Sequence, residues 1–291
     1  MMTARATRFA SFLMLALCCA RVAAAQGTRV DYISFGPVAV HDHVRFDLHL
    51  KIRNDPYPHE TKEAYDYDGV DWEATMGWHW AGVPLITTVR ATPVARLHPA
   101  YDQDTDFEPG NNFTHGNAGQ APSRTFALEQ QVPLTASRGL TSRRGALRYD
   151  FTFLRQWTRY RQVTTYDLNS NPSLPSNTYS RLISEQAIVY ELRSGVTWNR
   201  VCACAGWTTT AHLGVVPLTA IFLHNYIPVV LAATSELAYG ATAQLGVGHR
   251  LGAWRIGARG EGGWFHGYSH DGGFQRREYG VALTLTLPPF W

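Results

Sequence analysis

The chain of 291 residues carries 26 Lys and Arg against 23 Asp and Glu, a formal charge of +3, with only four cysteines. The arginines are scattered and lysine occurs only at Lys51 and Lys62, which excludes the clustered basic footprint of a nucleic-acid-binding protein. No stretch beyond the N-terminus approaches the roughly 18 consecutive apolar residues of a membrane helix.

Residues 1–25 read as an export signal. Arg5 and Arg8 form a basic start and residues 9–20 an apolar core too short to span. Ala23, Ala24 and Ala25 supply a small-residue cleavage site before Gln26. Cys18 and Cys19 fall inside this leader, so residues 26–291 retain only Cys202 and Cys204 and no disulfide framework. That remainder suits a single domain. The mean hydropathy of the whole chain, slightly below zero, fits a protein whose polar and apolar residues sit on opposite faces and cancel in the average.

Residues 30–40 are apolar but broken by Gly36 and Pro37, an extra strand or a lead-in. The first clear strand is residues 44–53. Val44, Phe46, Leu48, Leu50 and Ile52 make one face; Arg45, Asp47, His49, Lys51 and Arg53 make the other. Residues 70–80 repeat the device, with Trp72, Trp78 and Trp80 opposite Asp71, Glu73 and His79. A tight turn at residues 81–84 leads into residues 85–98, where Arg90 and Arg96 share the polar face. Further strands are expected at 124–132, 146–161, 184–198, 205–223, 232–248, 253–265 and 277–287. That makes about ten, with room for twelve, each near the ~9–11 residues needed to cross a bilayer.

The last strand alternates cleanly. Val281, Leu283, Leu285 and Leu287 point one way, Gly280, Ala282, Thr284 and Thr286 the other, and the chain stops on Trp291 in register with the apolar face. A final strand ending on an aromatic resembles the C-terminal strand of bacterial outer-membrane β-barrels. That resemblance implies an all-β, transmembrane, antiparallel up-and-down barrel over residues 26–291. Its implied location is the bacterial outer membrane. Its implied partners are outer-membrane lipid, lipopolysaccharide and the barrel-assembly machinery that recognises such a strand; a periplasmic partner stays unnamed.

Connection lengths agree with a barrel. Residues 54–69, 99–123, 162–183, 224–231 and 266–276 read as surface loops, mostly long and polar. The turns at 81–84 and 249–252 are tight, 199–204 is short, and 133–145 is longer. Trp78, Trp80, Trp198, Trp207, Trp254 and Trp291 then fall at periplasmic strand ends, and Trp72, Trp264 and Tyr279 at the opposite rim. Indole rings prefer the headgroup layer, so these residues form two girdles.

On the inward faces the same reading puts Arg45, Asp47, Lys51, Glu73, Arg90, Arg96, Arg148, Asp150, Glu191, Arg193, Glu236, Arg255, Arg259 and Glu261. Charges of both signs taken from water must pair across the lumen. A ten-stranded barrel is nearer in width to a side-chain-filled eight-stranded one than to an open porin. The function expected is non-enzymatic: a barrel with a charged, largely filled lumen, serving as a structural or interaction protein or a narrow channel.

The competing class is a protease. Ten strands, with Asp102 and Asp104 in the second surface loop and His224 opening the fourth, resemble the omptins. Those are outer-membrane proteases with an Asp–Asp pair facing an Asp–His couple across the barrel mouth. The omptin aspartate stands two residues before the histidine; here that position is Phe222. No catalytic set is therefore favoured, and Asp102, Asp104 and His224 are the alternative. Metal sites are not expected. The acidic run at 102–108 lacks the glycine and distal glutamate of a calcium loop, and Cys202 with Cys204 is too small a ligand set. Ser269, His270 and Asp271 are adjacent and cannot converge as a triad. No cofactor is called for.

Overall fold

A computed structural model describes residues 29–50, 59–94, 97–108, 111–134, 145–167, 178–202, 206–227, 230–269 and 272–287. The strands are β1 (Arg29–Leu50), β2 (His59–His79), β3 (Ile86–Val94), β4 (Leu97–Glu108), β5 (Asn111–Pro133) and β6 (Ala146–Asp167). They continue as β7 (Thr178–Cys202), β8 (Trp207–Ile227), β9 (Val230–Leu251), β10 (Trp254–Ser269) and β11 (Gly272–Leu287). Each pairs antiparallel with its neighbour, and β1 pairs with both β2 and β11, so the sheet closes on itself. β3 and β4 share one place in the wall, since both pair with β2 on one side and β5 on the other. The eleven segments therefore occupy ten barrel positions. Among the described residues every strand has a partner on both sides, the condition a β-structure must meet inside lipid.

At one end two of the connections are tight turns. Gly82 and Gly252 take positive φ values of 74° and 61° in the turns after β2 and β9, a left-handed conformation that glycine adopts without a steric penalty. Trp80 and Leu85 close the first of these turns through a backbone hydrogen bond of 3.3 Å.

The outer skin is apolar where lipid would lie. Leu213 and Leu245 are 72% and 70% exposed, and Val215, Val281 and Leu283 more than half exposed. Exposed aromatics border this band. Trp80, Trp207 and Trp254 lie towards the turn end, Trp72, Trp264 and Tyr279 above. Trp78 packs on the small cluster of Val30 and Ile33, and Trp198, half-buried, lies near the turn end of β7. Trp291 lies outside the described residues. From Trp254 to Trp264 is ten residues along β10, one bilayer crossing. Yet β1, β6 and β9 have 22 residues each and β7 has 25. The strands thus continue well past the upper girdle.

The structure corrects the sequence reading in three places. The stretches expected as long surface loops are largely strand: residues 59–69, 97–108, 111–123, 178–183 and 272–276 all pair in the wall. The first strand begins at Arg29 rather than Val44, with Gly36 and Pro37 inside it. Its pairing with β11 skips these two residues, from Phe35↔Leu285 to Val38↔Ala282, then runs unbroken to Leu48↔Gly272. Arg45 was expected to face the lumen. It is exposed, opposite exposed Gln275 and one register place beyond the buried Arg276. On the same outer face His41 and His43 pair with Asp68 and Asp66, while Val44 stands in register with the buried Arg276.

Candidate functional site: the lumen

Alternation places a second set of residues inside. On β11, Phe274, Arg276, Glu278, Gly280, Ala282, Thr284 and Thr286 share the face opposite Val281 and Leu283. Arg276 and Phe274 are 2% and 1% exposed. On β1 the same face carries Tyr32, Ser34 and Asp42; on β2, Asp71 and Glu73; on β7, Glu191, Arg193 and Thr197; on β10, Arg259, Glu261 and Phe265.

These side chains meet in mid-lumen as one ion-pair layer. Arg276 donates from Nε and Nη2 to the two oxygens of Asp42, both at 2.9 Å, from Nη1 to Glu191 at 2.7 Å, and to Glu278 at 2.9 Å. It also donates to Gln156, whose amide reaches Asp42 at 3.2 Å. Arg193 bridges Glu191 at 2.6 Å and Glu278 at 2.7 Å. Arg90 donates to Glu261 at 2.9 Å and Arg259 to Glu73 at 2.9 Å, with Arg259 also 3.4 Å from Glu261. The ring of Phe265, fully buried, lies 5.4 Å from the Arg276 guanidinium carbon and 5.8 Å from that of Arg193. Such cation–π contacts strengthen when desolvated.

Topology shows that these bonds cross the barrel. Arg276 on β11 and Gln156 on β6 are five positions apart in a ring of ten, diametrically opposed. Glu191 on β7 lies four positions from Arg276, as does Glu261 from Arg90. Ionised groups this buried are expensive unless paired. Here each guanidinium faces at least two carboxylates, which supplies that pairing.

Below the layer, towards the turn end, lies a cavity of about 710 Å³. Its roof is Arg90, Arg193, Arg259, Glu261 and Glu278. Its walls carry Arg148, which donates to Gln131 at 3.1 Å, and Asp150, bonded by Thr197 at 2.7 Å and His212 at 3.0 Å. Tyr32 and Thr88 share a hydrogen bond of 3.2 Å, and His79 pairs with Asp31 at the mouth, where Arg255 is exposed.

Of the residues singled out from sequence, Glu73, Arg90, Glu191, Arg193, Arg259 and Glu261 meet in the layer, and Arg148, Asp150 and Arg255 line the cavity. Arg45 does neither. Lys51 and Arg96 lie outside the described residues, as do the side chains of Asp47 and Glu236. Asp102 and Asp104 belong to β4, where Asp104 pairs with His115, and His224 to β8, opposite Gln186. Their side chains too lie outside the described residues.

Sequence reasoning missed Asp42, Gln156, Arg276 and Glu278, the heart of the network. The signal was present in β11. Stepping back by twos from Ala282 and Gly280 reaches Glu278, then Arg276, on one face. The assumption that residues 266–276 form a loop cut that face short.

No protein-family profile matches the sequence, and no curated protein does. Among solved structures, the outer-membrane protease OmpT of Escherichia coli is similar with a TM-score of 0.63 at 10% identity, covering 90% of this chain and 97% of that one. The translocator domain of the autotransporter NalP of Neisseria meningitidis matches at a TM-score of 0.29 and 10% identity, over 96% and 98%. Ail of Yersinia pestis matches at 0.26 and 10% identity, over 88% and 98%. At such identities the OmpT likeness is one of fold. This chain folds as a bacterial outer-membrane β-barrel, closed, antiparallel and up-and-down, with ten positions in its wall.

Proposed function

We propose that this barrel is not an enzyme but an outer-membrane structural or interaction protein, or a narrow channel, whose lumen is closed by its ion-pair layer. The buried contact of Arg276 with Glu191 across the barrel carries this reading. Planar-bilayer recording tests it. The wild-type barrel should give little or no steady conductance, and Arg276→Ala combined with Glu191→Ala should raise it by removing both charges and their volume. Porin-like conductance in the wild type would overturn closure.

On this reading residues 1–25 are an export signal cleaved after Ala25, and the tight-turn end faces the periplasm. N-terminal sequencing of protein from outer membranes should then begin at Gln26. The apolar skin contacts outer-membrane lipid and lipopolysaccharide, and the last strand engages the barrel-assembly machinery. Nucleic acid and cofactors have no part in it.

One observation favours a second reading, an omptin-like protease. The fold resembles OmpT, and Asp102 and Asp104 stand on β4, four barrel positions from His224 on β8. Phe222 occupies the place of the aspartate that would orient the imidazole, and an unoriented histidine is a weakened general base. Incubation with lipopolysaccharide and a dibasic fluorogenic peptide separates the readings. Cleavage abolished by Asp102→Ala or His224→Ala would replace the first with the second.

A further inference from the structure

The cavity below the ion-pair layer contains an arrangement that the layer does not use. Its volume of about 710 Å³ lies within the roughly 300–1,000 Å³ of small-molecule pockets. On its wall, His212 of β8 reaches across β7 to β6. Nε2 donates to one oxygen of Asp150 at 3.0 Å, and Thr197 donates to the other at 2.7 Å. Two glycines make room for this ring. A Cβ at Gly195 would stand 2.5 Å from Nε2, and one at Gly214 would stand 2.8 Å from Cε1. Gly195 and Gly214 therefore form a slot in which the imidazole lies against the barrel wall.

With Nε2–H committed to Asp150, Nδ1 is the remaining ring nitrogen. It accepts a hydrogen bond in neutral imidazole and donates one in the protonated form. His212 lines the cavity, and among the described residues no group bonds its Nδ1. Beside it stands Thr242, 8% exposed, whose Oγ1 is buried without a partner among the described residues. That hydroxyl lies 2.9 Å from the same Gly214 point that is 2.8 Å from His212. A buried hydroxyl left without a partner is unfavourable, and a solute hydroxyl would relieve it.

Arg148 completes the set. The register Arg148↔Thr197↔His212 puts it on the same row, two strands away, roughly 10 Å by strand spacing. One of its nitrogens holds Gln131 at 3.1 Å, and a guanidinium carries further donors. The nearby carboxylates are engaged: Asp150 by His212 and Thr197, Glu129 by Gln131, Asp31 by His79.

We propose that this pocket binds a small oxyanion that retains a hydroxyl, a hydrogen phosphate or a hydroxy-carboxylate. Its anionic oxygens lie on Arg148, and its hydroxyl lies between His212 Nδ1 and Thr242 Oγ1. The inference needs the cavity but neither the closed lumen nor the orientation proposed above. A conducting barrel would sink that closure and leave the following titration unchanged.

The full-length barrel, folded in detergent micelles, is titrated with inorganic phosphate, gluconate and acetate at constant pH and ionic strength. Imidazole NMR signals are followed, with His212 assigned through His212→Gln. Phosphate or gluconate should shift His212 saturably, whichever binds naming the source of the oxyanion. Acetate, which lacks the hydroxyl, should bind at least about tenfold more weakly. Arg148→Gln and Thr242→Val should each weaken binding about tenfold, while His266 on the outer face stays unmoved. A linear shift shared with His266, equal affinity for acetate, or wild-type affinity in both variants would overturn the proposal. If a variant fails to fold, the wild-type preference for gluconate or phosphate over acetate decides alone.

Discussion

Arg276 and Asp42, separated by 234 positions in sequence, form a two-pronged ion pair at the seam where β11 meets β1, with both bonds at 2.9 Å. Val44 is the direct register partner of Arg276, and Asp42 that of Glu278, so the guanidinium reaches diagonally along the seam. Planar fork-to-carboxylate pairing of this kind is directional. It joins the first strand to the last while Glu191 ties the same guanidinium to the far wall.

Removing Arg276 should therefore be costly. Arg276→Ala leaves Asp42, Glu191 and Glu278 close together without their shared cation. Breaking a buried pair in this way costs roughly 3–5 kcal/mol. Urea unfolding of the detergent-folded barrel should show a lower midpoint, and heat-modifiability should be lost at a lower temperature. Asp42→Asn keeps hydrogen-bonding capacity and should cost less. Equal unfolding midpoints for wild type and Arg276→Ala would show that the pair contributes nothing.

Adjacent residues on β9 should report opposite environments. Leu245 is 70% exposed on the apolar skin, whereas Gln244 lines the cavity. A fluorophore on Leu245→Cys should be strongly quenched by brominated lipid, and one on Gln244→Cys only weakly. Leu245→Arg puts a charge near mid-membrane and should cost roughly 2–4 kcal/mol of folding free energy in bilayers. Similar quenching at both sites would contradict the assignment of faces.

Gly36 should tolerate no side chain. A Cβ there would overlap the backbone carbonyl of Leu283 and come within 3.1 Å of Thr284 Cα, and neither atom can swing aside. Pro37 beside it has no N–H to give the seam, and the β1–β11 register skips this pair. Gly36→Ala should lower stability by at least ~1–3 kcal/mol, seen as poor folding yield. Gly260 is the control, since a Cβ there meets nothing within 4 Å. If the two alanine variants fold equally well, the close approach at Gly36 is unimportant.

A last expectation concerns assembly and Trp291. Deleting Phe290 and Trp291 should leave export intact but impair insertion, so that protein is degraded or accumulates in the periplasm. Unchanged outer-membrane yield of heat-modifiable protein would remove the terminal strand from that role.

Much of the barrel could be read from residues alone. In β11 the alternation of Val281 and Leu283 with Ala282 and Thr284 states which side meets lipid and which the interior, because side chains on a strand alternate faces. The preference of indole for the headgroup layer leads to Trp72, Trp254 and Trp264 being expected at the two rims, and all three are exposed on the outer skin. What alternation cannot say is what lies on each side at a given height. Around Arg45 the strand has passed the upper girdle, so this side chain is exposed outside, although its pattern is the one expected of a lumen-facing charge. Nor can parity name partners. That Arg276 meets Asp42 and Gln156, or that His212 crosses Gly195 to reach Asp150, depends on closure of the sheet and on its stagger. Both are set by all ten positions of the wall together and by no single strand.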